Sequence, residues 1–213
     1  MLIRQNITTE EYFKLPYASN SNIKEAYKMF TASENAEIDT TKSFAFGSAF
    51  DALTTEQSEF STEKLTDKEV SLLMPMRRLL EANMIYSALF KNADKQAVFI
   101  DKEFEIDLDG MNVVIPAKCK FDLWSNMLNF GGDIKSTVAA SQTAFEKAAK
   151  MFKYNMQAAW YMDITRSNRF IIIGISKTKY KTFDIQIKRG DDAYIRGKKD
   201  YLFYARYWWM VNR

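Results

Sequence analysis

The chain has 213 residues, 47% hydrophobic and 27% charged, with a formal net charge of +3 from 30 basic and 27 acidic residues. This is the composition of a globular single-domain protein that needs neither disulfide nor structural metal to fold. The absence of histidine and the single cysteine, Cys119, exclude Ser-His-Asp hydrolysis, histidine-liganded zinc, an internal disulfide, and a four-cysteine zinc or iron–sulfur centre. The first residues, MLIRQNITTEEYF, lack the basic start and continuous apolar run of a signal peptide. No stretch of about 18 apolar residues suggests a membrane span, so the expected location is cytoplasmic.

In chain order, residues 1–92 read as mainly helical and 93–213 as an αβ core within one domain. Thr8 or Thr9 caps a short helix beginning at Glu10. Ser19-Asn20-Ser21 precedes a second helix through Ile23, Ala26, Tyr27 and Phe30. Phe46, Ala49, Phe50 and Leu53 place a third over 43–55, and a fourth runs from Thr66 or Asp67 towards Phe90, kinked or split at Pro75. The period then changes. Residues 96–107 and 112–124 read as strands joined by Leu108-Asp109-Gly110, a hairpin signal. A third strand spans 127–136, with Gly131-Gly132 marking a bend or bulge. One long helix over 141–165, strands at 170–176 and 182–188, and an aromatic-rich helix over 191–211 complete the chain. The order implies an α/β fold, a mixed central sheet flanked by helices, with extra helices at the N-terminus. The Trp208-Trp209 region is expected to pack rather than to stack on bases.

Lys118-Cys119-Lys120-Phe121-Asp122-Leu123-Trp124 ends one expected strand, and Asp133-Ile134-Lys135 lies on the next. Alternation puts Asp133 and Lys135 on one face and turns Ile134 into the core, its carbonyl a further candidate ligand. Were Asp122 alongside, two carboxylates would meet one ammonium. Without histidine, a metal must be a hard ion held by oxygens, magnesium or manganese. Such an ion polarises a phosphoryl oxygen and acidifies a bound water, and a neighbouring lysine orients or deprotonates that water. Asp-x-Lys alone is common in strands and is usually a surface charge pair.

The run KCKFDLW…GGDIKST…FEKAAKMFKYNMQAAWYMD resembles the PD-(D/E)XK nuclease superfamily, its RecB-like branch, and within that the phage-type RecE exonucleases. The matching positions are Asp122, Asp133, Lys135 and the helical Tyr154, Gln157 and Tyr161, over roughly 118–163. Gly47-Ser48-Ala49-Phe50-Asp51-Ala52-Leu53 is similar to a family helix that usually carries a histidine metal ligand where this chain has Asp51. Ser19 to Lys24 is similar to the family's Ser-x-Ser-x-hydrophobic-Lys start, and no catalytic part is assigned to it. The resemblance implies a restriction-endonuclease-like core with one or two magnesium or manganese ions. Asp51, Asp122, Asp133 and the Ile134 carbonyl would ligate, Lys135 would act on the attacking water, and Gln157 and Tyr161 would position phosphate or Lys135. Lys118, Lys120 and Tyr154 are expected at the DNA. The implied substrate is double-stranded DNA with free ends, as in phage or prophage recombination, with a homo-oligomer and a single-strand annealing protein as expected partners. The alternatives are an endonuclease or repair nuclease of the same superfamily, or an inactive DNA-binding protein on this fold.

Overall fold

The computed structural model describes residues 2–31, 41–55 and 60–213. Among them, six strands lie side by side in chain order: β1 (Leu2–Gln5), β2 (Asp94–Leu108), β3 (Met111–Ser125), β4 (Phe130–Thr137), β5 (Arg169–Ser176) and β6 (Thr182–Lys188). Neighbouring strands are antiparallel except β4 and β5, which run parallel. A parallel pair requires a crossover, here made by α6 (Gln142–Met151) and α7 (Tyr154–Thr165). The β2–β3 hairpin turns through Asp109 and Gly110, both at positive φ, as the tightest hairpins require.

Helices cover both faces of the sheet. On one, Ile23 of α2 (Asn20–Thr31), Phe145 of α6, Met156 and Trp160 of α7, and Tyr201 of α8 (Asp192–Asn212) enclose Phe99, Phe121 and Phe170. On the other, α3 (Thr41–Thr54), α4 (Asp67–Ala82) and α5 (Met84–Asn92) bury Phe46, Phe50, Leu73, Met76 and Phe90 against Leu123, Ile134, Ile171 and Ile173. β5 is therefore buried on both sides, which is why its sequence is a continuous apolar run rather than an alternation. Tyr12 of α1 (Thr9–Lys14) covers Val98 and Ile100 further along β2. No helix among the described residues is long and apolar enough to cross a membrane.

Four sequence expectations change. β1 lies in a segment expected to be helical or irregular; its four residues are too few for a period to emerge, yet Ile3 pairs with Ile100 at the sheet edge. The fourth helix divides at Asn83, not at Pro75. Pro75 stands on the solvent side of an unbroken α4, whereas Asn83 is extended and its side chain accepts the N–H groups of Ile85 and Tyr86, capping a new helix. The long helix over 141–165 is two, α6 and α7, joined through Lys153 at φ 55°. Finally, Gly131-Gly132 marks no bulge. Both glycines pair in register within β4, and each makes room: a Cβ at Gly131 would overlap the Phe121 ring, and one at Gly132 would overlap Ile171.

Candidate active site

Residues two apart on a strand share a face, but at one place in the sheet they do not. Phe121 packs beneath α7, whereas Leu123 packs beneath α3 and α4. The neighbouring strand makes the same switch: Ala97 lies in the α7-side core, while Lys95 stands over the Phe90 ring of α5 at 4.3 Å. Lys95 pairs with Leu123 and Ala97 with Phe121, so the residues between, Gln96 and Asp122, face one another across the switch. Gln96 has φ 54°, and a left-handed residue inside an extended strand turns the chain over.

The same position is where β3 and β4 part. Their pairing ends at Leu123–Gly132. Beyond it, the Ile134 N–H finds no backbone acceptor on β3 and donates to Asp122 Oδ2 at 2.6 Å. The N–H and C=O of one strand residue leave by the same edge, so the Ile134 carbonyl also faces the gap. Asp133 projects from β4 towards α7, where Gln157 Nε2 donates to its Oδ1 at 3.1 Å. Lys135, next on that face, ion-pairs through Nζ with Asp133 Oδ2. The parted strands thus hold two carboxylates, 8% and 3% exposed, beside one ammonium.

The convergence sets the electrostatics of the site. Burial, then the charges of Asp133 and Asp51, push the Asp122 carboxyl well above its ordinary value, against the pull of Lys135 and the Ile134 N–H. Burial alone would lower Lys135, but Asp133 and Asp122 outweigh it and hold the ammonium above its usual value. Lys120 is lowered by burial and drawn back by Asp51, Asp122 and Asp133 together, so all three carboxylates lie within its field. Asp51 enters from α3, and its Oδ1 accepts from Gln96 Nε2 at 3.3 Å.

The remaining expected residues divide. Tyr154 stands beside Lys135, whose Nζ lies 5.6 Å from the ring centroid. Lys120 is half-buried at the rim, donating to Thr9 Oγ1 at 3.2 Å. Tyr161 is a core residue, packed on Phe121 and Phe170, with burial foremost in raising its hydroxyl and Asp133 and Asp122 adding to it. Gln157 grips Asp133 rather than Lys135. Lys118, expected at the DNA, is instead buried at 2% exposure, donating to the carbonyls of Tyr12 at 2.9 Å and Leu15 at 2.7 Å. It fastens the end of α1 to β3, because the last carbonyls of a helix need donors. Gly47 has open space where a Cβ would stand, so Ala49 and Phe50, not glycine, bring α3 onto the sheet.

Two residues that sequence reasoning left aside join the site. Lys24 donates to the Phe152 carbonyl at 3.5 Å, and burial, then Lys153 and Lys135, lower its ammonium to about 8. Its signal was the Ser19–Lys24 segment. Gln96 carried none, because a positive φ inside an apolar strand leaves no trace in residue type.

A hard cation suits this donor set. Every candidate ligand is an oxygen, the donor type that hard cations prefer. Among the described residues, however, no three ligating side chains close around a common point: Lys135 lies on Asp133, and Asp122 is engaged by the Ile134 amide.

No family model matches the chain, and no curated protein matches it. Solved structures similar to it include a phage-related exonuclease from Haemophilus somnus, 13% identical, with 95% of this chain and 97% of that one covered and a TM-score of 0.43. Another is a protein called SSO0001, 14% identical, with 91% and 86% covered and a TM-score of 0.42. These are distant likenesses of overall fold and fix no activity.

Proposed function

We propose that this chain is a metal-dependent deoxyribonuclease of the PD-(D/E)XK type that removes nucleotides from the ends of linear double-stranded DNA. The observation that carries the reading is the Asp122 carboxylate seated across the parted strands on the Ile134 amide, beside Asp133 and Lys135. Structural ion pairs rarely bury two like charges against one cation, because each unpaired charge costs several kcal/mol (~3–5). Sites that gather phosphate and a dication have that need.

Asp122, Asp133, Asp51 and the Ile134 carbonyl would hold magnesium or manganese. When bound, the ion supplies charge neutralisation and polarises the phosphate and its attacking water. Lys135, held beside Asp133, would orient the attacking water or stabilise the developing oxyanion. Gln157 holds Asp133 in one orientation. Tyr154 lies beside Lys135, Lys120 lies within the field of the three carboxylates and Lys24 within that of Lys135; the flanking phosphates of a strand would meet them there, since phosphate contacts need charge, not sequence.

The test is a digestion time course with magnesium or manganese on linear duplex and on covalently closed circular DNA. Release of nucleotides from the linear form with the circle untouched is expected. Equal cutting of the circle replaces the exonuclease by an endonuclease, and loss of neither form rejects the activity.

A further inference from the structure

Gln96 combines three features. Its backbone is left-handed, φ 54°, near the start of the extended strand β2, a conformation that a side chain other than glycine, asparagine or aspartate adopts only under constraint. Its side-chain nitrogen donates to Asp51 Oδ1 at 3.3 Å and to Thr55 Oγ1 at 3.1 Å. Its side-chain oxygen is buried and, among the described residues, has no hydrogen-bond partner. An amide placed the other way round would set its oxygen against the Asp51 carboxylate, so charge fixes which atom meets Asp51. Strain and an unpaired buried oxygen at one residue are both unfavourable, and they coincide opposite Asp122, where both strands switch faces.

We propose that Gln96 is a positioning residue for the cation site. Its left-handed turn opens β2 opposite Asp122, and its amide nitrogen holds Asp51 of α3 on the side of Asp122 and Asp133. The proposal rests on the metal-dependent reading above. A residue that orients a ligand by hydrogen bonding typically changes metal affinity by about 10- to 100-fold when removed.

Backbone strain and side-chain grip can be separated. Asparagine tolerates left-handed φ better than glutamine but is one methylene shorter and falls short of Asp51. Q96N is therefore expected to fold with an unchanged or higher melting temperature while binding manganese at least tenfold more weakly. Binding is followed on the full chain by isothermal titration and by the manganese paramagnetic resonance signal, without DNA. D51N is expected to weaken binding to a similar degree, and the double variant no further, since the two act as one unit. Equal manganese affinity in wild type and Q96N overturns the role of Gln96 and leaves the nuclease reading intact. A Q96N effect that adds in full to that of D51N overturns the coupling through Asp51. Absence of saturable manganese binding by the wild type overturns both this proposal and the metal-dependent reading.

Discussion

Two lysines on one face of β3, two residues apart, do opposite things. Lys118 is sealed beneath Tyr12 and bonded to two helix-end carbonyls, while Lys120 sits at the rim within the field of three carboxylates. Replacing Lys118 by methionine strands both carbonyls, which costs about 1–3 kcal/mol. A lower urea midpoint with an unchanged salt dependence of DNA binding is expected, whereas a shallower salt slope without loss of stability would return Lys118 to the DNA. Lys24 gives a pH signature. Its ammonium is lowered to about 8 from the usual 10.5, so the folded chain sheds this proton first. Folding stability from Lys24 therefore rises with pH between those values, since the unfolded chain binds the extra proton. A phosphate contact runs the other way, being lost as pH climbs through about 8. DNA affinity measured by anisotropy should fall across that range in the wild type and stay level in Lys24→Met; parallel curves would remove Lys24 from the interface. Residue type alone did not single out Asp122, Asp133 and Lys135, since Asp-x-Lys is a common surface pair; the resemblance did. Residue type could not separate Lys118 from Lys120, because burial depends on α1 crossing one and not the other.

The elements show how much of the geometry is set by close approach. β4 reaches β3 and β5 through Gly131 and Gly132, where side chains would collide with Phe121 and Ile171. Phe121 cannot retreat, because Trp124 and Tyr161 hold its ring at 4.9 Å each and Phe170 at 5.7 Å. Gly131→Ala should therefore lose about 1–3 kcal/mol and, by displacing Asp133 two residues on, lose cleavage beyond what its remaining folded fraction explains. A stable and fully active Gly131→Ala would mean that the strand has slack. The paired glycines were visible in the sequence, but as a bend or bulge; only Phe121 and Ile171 packed against them reveal that they serve proximity. Helix ends follow the same logic. The Asn83 cap and the turn at Lys153 decide where helices break, and neither residue has a periodicity to betray it, whereas Pro75 was conspicuous and proved harmless on the solvent side.

At the scale of the whole molecule, two apolar cores of opposite faces meet at one defect in the sheet, and the carboxylates occupy it. The strands from β2 to β6, the hairpin at Asp109-Gly110 and the helical stretch before β5 were legible from period and turn chemistry, whereas β1 was not. The defect was not, since simple alternation would keep Phe121 and Leu123 on one face, and they lie on two. Further along the same face of the sheet, Asp163 of α7 accepts from Tyr194 and Tyr201 of α8 and from Arg189, which ties the last helix to the crossover that carries Gln157.

Cleavage itself is the most direct measurement. Purified wild type, Asp122→Asn and Lys135→Ala are incubated with 5′-phosphorylated linear duplex, with and without magnesium or manganese, and acid-soluble nucleotide is followed in time. Release by the wild type only with metal, falling by about 10²-fold or more in either variant while folding is retained, is expected. Metal-independent release, or full activity in a folded Lys135→Ala, would contradict a catalytic centre at the parted strands.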